Sequence, residues 1–542
     1  MTNTEIARHF RELARLMEYH GENPFKIRSY RKAYDILRKR DLAVAGSSAA
    51  ELQQIEGIGK AISEKIVQLI ATGELELLSR YRKETPPAAR EMLNVRGLGP
   101  KKVRQLVEEL QVDSIGEVLH AIRENRVIEL KGFSTATQAK LQAQLEFYQE
   151  AQGFGRYADL RPRAVKFLDA LRQNCTRAEL TGEFRRQLPV VSELTYLASP
   201  DASSFLAATG FSSSTDSYAG ELEGFATRVL LVGTDQFEHQ WLLTTGSPEF
   251  LSEHPELQAA AVAGTEQQVF AKAGVTYTAP PQRESASPWP PTPPDEVIRP
   301  SDVLGVVHTH TTWSDGATTA DVLAKACMEL GYQYLVVTDH SKAAGYANGL
   351  SSSRLAAQSV ELRHLSTELD GFRVFAGTEC DILRDGSLDY SSAELKQLDV
   401  VIASVHSVLR MTKEDATARV VSAIETGLVD ILGHPTGRLL LSREGYPLDW
   451  DAVFDACAKH GTAIELNASP HRLDLDWSLI PAALERGLLI SINPDAHSLA
   501  GLQDIEFGVL AAQKAGLRAE QCLNTKTAAE FADWLSARRS EC

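Results

Sequence analysis

The sequence predicts a multidomain fold: an all-α head, a mixed α/β middle and a C-terminal barrel of seven strands alternating with helices. Three observations predict it. The chain has 542 residues, more than one ordinary core organises, so two to four domains are expected. Apolar residues repeat at helical spacing through residues 1–150, and from Val303 onward short apolar runs recur in a strand-and-helix rhythm. Between these blocks, Pro280–Pro300 holds eight prolines in twenty-one residues. Proline removes backbone donors and fixes φ, so this stretch reads as a linker or an extended strap.

Taken in order, the head (1–150) shows three- and four-residue spacing at Ile6, Phe10, Leu13, Leu16 and Met17, and again after Gly59 and Gly99, with glycine turns between helices. The middle (151–278) opens with a predicted helix at Arg163–Arg172 and continues with strand-like runs at Leu188–Leu197 and Thr227–Val232. After the linker (279–300), the last region (301–542) offers seven short apolar strands: Val303–Val307, Tyr334–Val337, Arg373–Ala376, Val400–Ala403, Asp430–Leu432, Ala463–Leu466 and Leu488–Ile492. Helical segments lie between most of them. Seven strands in that order predict a closed barrel with its functional groups in the loops after each strand.

Composition bounds the class. No run of 18 apolar residues is present and the N-terminus lacks a basic-then-apolar layout, so a cytoplasmic protein without membrane contact is expected, with a monomer as the default state. The six cysteines are far apart and form no C-x-x-C pair, which argues against a disulfide framework; all read as buried free thiols, with Cys380 the one left open. Net charge is -16, but residues 1–150 carry 24 Lys/Arg against 21 Asp/Glu, whereas the remainder carries 32 against 51. A mildly basic head on an acidic body leaves nucleic acid open as a partner.

The residues just after each barrel strand carry the chemistry. Val306-Val307 leads to His308-Thr309-His310 and Trp313-Ser314-Asp315-Gly316, Val336-Val337 to Thr338-Asp339-His340, and Phe375-Ala376 to Gly377-Thr378-Glu379. Ile402-Ala403 leads to Ser404-Val405-His406, Ile431-Leu432 to Gly433-His434-Pro435, and Ile490-Ser491-Ile492 to Asn493-Pro494-Asp495-Ala496-His497. One histidine after an apolar strand is more often a satisfied turn residue than a ligand; six at one barrel mouth are not independent. Imidazole with carboxylate suits Zn, Mn or Fe, and so many donors imply more than one ion. Phosphate-ester hydrolysis needs such a cluster, both to activate water at neutral pH and to oppose charge developing on the phosphoryl oxygens.

The motifs His308-Thr309-His310, Ser314-Asp315-Gly316, Thr338-Asp339-His340-Ser341, Gly433-His434-Pro435-Thr436-Gly437-Arg438 and Asp495-Ala496-His497 resemble the PHP (polymerase and histidinol phosphatase) family from Val303 to about Leu517. The resemblance implies a distorted seven-stranded (β/α) barrel with a site for two or three ions of Mn or Zn. It places His308, His310, Asp315, His340, Glu379, His406, His434, Asp495 and His497 on the metals, with His310, Asp315 and His340 closest to the chemistry. Arg438 and Arg472 are candidates for substrate phosphate, a salt bridge being the equal alternative for each; Asp339 and Lys342 adjoin the site.

In the head, Ile55-Glu56-Gly57-Ile58-Gly59-Lys60 and Val95-Arg96-Gly97-Leu98-Gly99-Pro100-Lys101-Lys102 repeat one pattern, each before an amphipathic helix. Glu129-Leu130-Lys131-Gly132-Phe133 is a degenerate third copy. The pattern reads as helix-hairpin-helix: Gly57, Gly59, Gly97 and Gly99 allow tight turns whose amides can hold a DNA phosphate, and Lys60, Lys101 and Lys102 add attraction. The alternative is a purely structural turn. With Phe25–Tyr34, the head resembles the N-terminal part of family X DNA polymerases, which places Lys65 where repair members keep an amine that attacks abasic sugars; a solvated or phosphate-contacting lysine is the weightier reading.

Head, middle and barrel together resemble bacterial family X polymerases over nearly the whole chain. The palm of that family needs three carboxylates for two Mg ions. Here Glu193 stands at the first position, Thr195 at the second and Arg228 near the third. The resemblance then implies a degenerate palm without Mg, lost or weak nucleotide transfer, and a 3′→5′ exonuclease acting on gapped, nicked or 3′-ended DNA, with 3′-phosphatase or abasic-site activity in base excision repair. The alternatives are a histidinol-phosphatase-like enzyme, a noncatalytic DNA-end binder and an active polymerase.

Overall fold

The first helix, Asn3–Tyr19, buries Ile6, Phe10, Leu13, Leu16 and Met17 on one face, as their spacing requires. Thr2 and Glu5 start it with a capping box, which satisfies two otherwise orphaned amides. In this computed structural model the described residues are all but 40–43, 113, 124–125, 151, 261, 263, 285–290, 442 and 541–542. They form two compact units, Met1–Gln152 and Gly153–Cys542. The first is helical, with helices that include Pro24–Arg38, Lys60–Thr72, Pro87–Met92, Pro100–Leu110 and Thr135–Glu150 around a shared apolar core. Among the described residues no helix is long and apolar enough to cross a membrane.

The second unit opens with short strands β1 (Gly155–Arg156) and β3 (Val190–Val191), which pair antiparallel. Its first large sheet runs β2-β4-β7-β6-β5, from β2 (Ala178–Thr181), β4 (Leu194–Ala198), β5 (Ser212–Ser213), β6 (Ser217–Leu222) and β7 (Phe225–Leu231). Only β4 and β7 pair parallel within it. The run predicted as one strand, Leu188–Leu197, is therefore two strands, broken at Ser192-Glu193, where Glu183 accepts from the Ser192 amide and hydroxyl. The helix predicted at Arg163–Arg172 is longer, Tyr157–Asn174.

The proline-rich stretch is a strap where it is described. Ile298 N–H donates to Leu517 O at 2.9 Å and the Thr292 hydroxyl to Gly516 O at 2.7 Å, which ties the strap to the barrel helix Ile505–Lys514 and the turn after it. The run Pro288-Trp289-Pro290 lies outside the described residues.

The barrel consists of β8 (Gly305–Thr309), β9 (Tyr334–Val337), β10 (Arg373–Asp381), β11 (Val400–Ser404), β12 (Ile431–Leu432), β13 (Ala463–Asn467) and β14 (Ile490–Asn493), all parallel and in sequential order. Inward residues Val307, Val336, Phe375, Val400, Ile402 and Ile431 form one apolar cluster with Phe531 and Leu535 of the last helix, Ala528–Ser540. Outward residues pack beneath the surrounding helices.

The predicted closure is incomplete. Among the described residues, β8 and β14 share no ladder; a single parallel bridge, Thr309 with Ala496, joins them at the mouth. Deeper in the seam a side chain substitutes for the missing strand: the fully buried Asn524 carboxamide donates to Gly305 O and Ile492 O and accepts from Ile492 N, at 3.2, 2.9 and 2.7 Å. A buried amide needs such partners, and here it supplies them to both edges.

Candidate metal centre

The loops after the strands converge as the pattern predicts, with two corrections, the first being that His308 belongs to β8 itself and not to the loop after it. Nor is Glu379 in a loop: β10 runs on to Asp381, because Gly377–Asp381 pairs with Val400–Ser404 of β11. Strand alternation puts Glu379 and Asp381 on one face and Cys380 on the other. Cys380 packs among Leu350, Tyr390, Leu395 and Val401, and burial pushes its thiol up to about 12, so it is a core residue.

Backbone irregularity aims two of the histidines. The β8–β9 register shifts between Val306 and Thr309, and His308 within that bulge takes φ +66°. Asp495 (φ +53°) and His434 (φ +20°) are likewise in or at the left-handed region. Such conformations are costly for residues other than glycine and persist where the surrounding structure over-determines them.

The nine groups form one cluster, in which Glu379 is met by five histidines. Its Oε1 lies 3.3 Å from His308 Nε2, 3.0 Å from His406 Nε2 and 2.9 Å from His434 Nε2, and its Oε2 lies 2.9 Å from His340 Nδ1 and 3.6 Å from His310 Nε2. Asp495 Oδ1 is 3.2 Å from His310 Nε2 and 3.6 Å from both His308 Nε2 and His497 Nδ1. Asp315 Oδ1 is 3.4 Å from His497 Nε2 and 3.7 Å from His340 Nε2. Four overlapping sets result: His310, Asp315, His340 and His497; His308, His434 and Asp495; His308, His310 and Glu379; His340, Glu379 and His406. Within each set the donor atoms lie within 4.8 Å of one another, and among the described residues every such set is in the barrel.

These donors fit cations. His308 Nε2, both ring nitrogens of His310 and Glu379 Oε2 are buried with no hydrogen-bond partner among the described residues. Burial, with His497 and His340 close by, holds His310 down to about 3, so its imidazole is neutral and free to donate a lone pair. Burial would lower His308, but Glu465, Glu379 and Asp495 hold it well above its ordinary value. Burial opposes charge on Asp315 too, yet His497 brings that carboxyl down to about 2. His497 and Asp315, with 40% and 29% of their side chains exposed, mark the open side of the cluster.

Against burial in both cases, Glu379 and Asp381 raise His406 to about 10, and Asp315 and Asp495 raise His497 to about 9. In the metal-free chain these raised values add stability that is complete below the ordinary value of 6.5 and is lost as pH rises through about 9 and 10. A metal needs both rings deprotonated. Metal uptake by stripped protein at pH 7 is therefore expected to release protons, read as a calorimetric enthalpy that changes with the ionisation enthalpy of the buffer. Equal enthalpies in all buffers would contradict it.

Behind the cluster, sequence reasoning missed Glu465 and Asp381 and singled out Asp339. His308 Nδ1 donates to Glu465 Oε2 at 2.6 Å, and Glu465 also accepts from the His434 amide, Asn467 and Asn493. His406 Nδ1 donates to Asp381 Oδ1 at 3.1 Å. A carboxylate on the second nitrogen fixes the tautomer of a ligating imidazole and raises its basicity. Glu465→Gln is expected to weaken metal retention by roughly 10–100-fold, measured by competition with a chelating dye; unchanged retention would remove Glu465 from the site. Asp339 accepts from the Thr311 amide and hydroxyl and from the Ser314 amide, which pins the loop leading to Asp315.

Comparison with known proteins gives the same outline. The helix-hairpin-helix domain family matches residues 1–75, the SAM-like helix-hairpin-helix tandem family residues 89–146 and the PHP domain family residues 307–469. The DNA polymerase/3'-5' exonuclease PolX of Bacillus subtilis (strain 168) is 32% identical over 561 aligned positions, spanning 97% of this chain and 98% of that protein. The chain belongs to the bacterial PolX family. Shorter relatives include a probable phosphatase of Thermoanaerobacter sp. (strain X514), 30% identical over 230 residues (40% of this chain, 89% of the relative). Another, from Shewanella sp. (strain MR-4), is 32% identical over 201 residues (35% and 75%). Together with the donor cluster, this kinship supports metal-dependent phosphoesterase chemistry in the PHP barrel.

The remaining groups of this PolX chain take varied positions. Arg438 is turned onto the loop beside the site: it donates to Arg472 O at 3.0 Å, to Asp476 Oδ2 at 2.5 Å and to Leu473 O. Arg472 is the arginine nearer the cluster, with Nε 3.8 Å from Asp495 Oδ2. Lys342 is exposed, 5.0 Å above the Tyr390 ring. In the middle sheet, Thr195 pairs with Arg228 across β4 and β7, and Arg228 Nε is 3.1 Å from Glu193 Oε2.

In the head, one turn bond recurs three times: Ile58 N to Ile55 O, Leu98 N to Val95 O and Phe133 N to Leu130 O, at 2.9, 3.3 and 3.0 Å. Gly57 (φ +93°) and Gly97 (φ +80°) occupy the left-handed position, and a Cβ on Gly57 would collide with Lys32 Cε. Gly59 and Gly99 cap the helices Lys60–Thr72 and Pro100–Leu110. Lys60, Lys101 and Lys102 are exposed beside these turns, and Lys65 is half-buried one turn into the first helix. Lys32, exposed and close to the first turn, was not singled out by sequence reasoning.

Proposed function

We propose that this chain is a metal-dependent DNA phosphodiesterase, a 3′→5′ exonuclease of base excision repair whose barrel site also takes 3′-phosphates and abasic sites, and that nucleotide transfer is lost or weak. The observation that carries the reading is the complete cluster of nine donors, the buried Glu379 among them. Two or three Mn or Zn ions would be held by His308, His310, Asp315, His340, Glu379, His406, His434, Asp495 and His497. Ions so held supply Lewis acidity, a more acidic bound water and positive charge against the phosphoryl oxygens. The residues themselves fix the geometry: Glu465 and Asp381 orient His308 and His406, and Asp339 holds the loop before Asp315. The exposed edge at His497 and Asp315 is where a DNA 3′ end would enter.

The printed name of the Bacillus relative, which includes a 3'-5' exonuclease, supports the polarity. The middle sheet supports the loss of polymerisation: a palm needs carboxylates where this chain has Thr195 and Arg228, and the cation of Arg228 is spent on Glu193. The hairpin turns at Gly57, Gly59, Gly97 and Gly99, with Lys60, Lys101 and Lys102, are assigned to DNA phosphates, and Lys65 to a further phosphate contact. Trapping of Lys65 on abasic DNA by borohydride would reassign it to amine chemistry. The test is incubation of the full chain with Mn and end-labelled single-stranded, gapped and abasic DNA, with and without nucleotides. Shortening without extension is expected; extension would overturn the loss of polymerisation, and turnover of small phosphomonoesters far above DNA would favour the phosphatase reading.

A further inference from the structure

The head carries a second basic feature that neither hairpin includes. Arg8, Arg11 and Arg15, at three- and four-residue spacing on the helix Asn3–Tyr19, face Arg90 of the helix Pro87–Met92 across a cleft of about 600 Å³. Glu12, Leu16, Glu91, Leu93, Asn94 and Tyr148 complete its lining.

The partners of these arginines are weak ones: Arg11 lies 5.6 Å from the Tyr34 ring centroid, and Glu18 attracts Arg15 and Glu5 attracts Arg8 from beyond ion-pair distance. Among the described residues none of the four guanidinium groups is ion-paired with a carboxylate. Of the two acids present, Glu12 receives both a 2.7 Å and a 2.6 Å hydrogen bond from Arg82, and Glu91 accepts from Gln152 Nε2. Arg15 is half-buried, and its pKa is lowered by burial and by the like charges of Arg11 and Arg31. Gathering four cations around one cleft costs free energy unless an anion offsets it, and a guanidinium fork matches phosphate oxygens in two-point geometry.

Two further facts select the anion. Leu93 and Asn94 of the cleft directly precede the hairpin Val95–Lys102, so cleft and turn are contiguous in the chain. Tyr148 adds a partly exposed aromatic ring beside the cations. A basic groove with an aromatic platform is the recurrent arrangement for unpaired nucleic acid, phosphates on the cations and bases on the ring.

We propose that the Arg8–Arg11–Arg15–Arg90 cleft is a second phosphate-binding site of the head, which takes the sugar-phosphate backbone of an unpaired DNA strand leading away from the second hairpin. The proposal rests on the reading of the head as DNA-binding and extends it to residues outside the hairpins.

The test is titration of the full chain, in chelator to prevent digestion, with fluorescein-labelled gapped DNA over about 50–200 mM salt. Replacing Arg11, Arg15 and Arg90 together with Gln removes three phosphate contacts. It is expected to weaken binding roughly tenfold or more and to flatten the salt slope by about 2, at about 0.7 per single-strand contact. Arg11→Gln/Arg90→Gln, which alters only exposed side chains, gives the same result in smaller measure if the half-buried Arg15 proves necessary for folding. Unchanged affinity and slope in both variants would overturn the proposal. Lys101→Gln/Lys102→Gln separates the two readings. Weakened binding there but not in the arginine variants removes the cleft and leaves the hairpins, whereas no effect in any variant removes the DNA-binding head itself. A loss seen only with 5′-phosphorylated strands, and absent with 5′-hydroxyl strands, would overturn the backbone assignment in favour of a terminal phosphate.

Discussion

His310→Ala is expected to slow metal-dependent shortening of end-labelled DNA by about 10²- to 10³-fold or more, the range seen when one preorganised electrostatic group is lost from an active site. His310 touches two of the acids, with Nε2 3.2 Å from Asp495 and 3.6 Å from Glu379, and its ring stacks on His497 at 4.2 Å between centroids. Its removal therefore disturbs two of the four donor sets at once. Burial and the neighbouring imidazoles keep it neutral, so the charge balance of the metal-free fold changes little and the variant should fold. Shortening at the wild-type rate by His310→Ala would place the nuclease chemistry elsewhere in the chain.

The second large effect concerns stability. Asp430, fully buried just before the β12 strand, accepts from Arg538 Nε at 2.7 Å, from Arg539 Nη2 at 2.8 Å and from the Val401 amide at 2.8 Å. It fastens the last helix to the barrel, where Phe531 joins the inward apolar cluster. Asp430→Ala leaves Arg538, with only 4% of its side chain exposed, without its carboxylate. Breaking such a pair costs about 3–5 kcal/mol. For a barrel of this size that is a fall in Tm on the order of 10 °C, measurable by calorimetry on the full chain. An unchanged Tm would mean that the helix is held by its apolar contacts alone.

The barrel and most of its site could be read in the chain because parallel strands buried on both faces leave near-continuous apolar runs, and the donors come just after them. Glu379 was found although its strand runs through it; its position in the strand depends on pairing with Val400–Ser404, which has no local signature. Glu465 was missed because Ala463–Asn467 reads as an ordinary apolar strand. A lone acid inside such a strand was the available signal, since burying a carboxylate demands a partner. Of the hairpin glycines, Gly57 and Gly97 were legible because only a residue without Cβ suits φ near +80° to +93° beside Lys32 and Gln144. Closure of the barrel was over-read: nothing in the apolar rhythm shows that the outermost strands fail to pair, or that Asn524 fills the gap. In the middle, Thr195 and Arg228 are plain in the chain, whereas the ion pair of Arg228 with Glu193 depends on the β4–β7 register.

That unzipped seam has a mechanical corollary. His308 and His310 ride on its left bank and Asp495 and His497 on its right, so any cation shared between them is a rivet across the weakest joint of the ring. Chelation should loosen the staves there first, with amides of Gly305–Thr309 and Ile490–Asn493 exchanging hydrogen for deuterium faster while β10 and β11 stay protected. Uniform protection with and without chelator would show that the carboxamide of Asn524 is clasp enough.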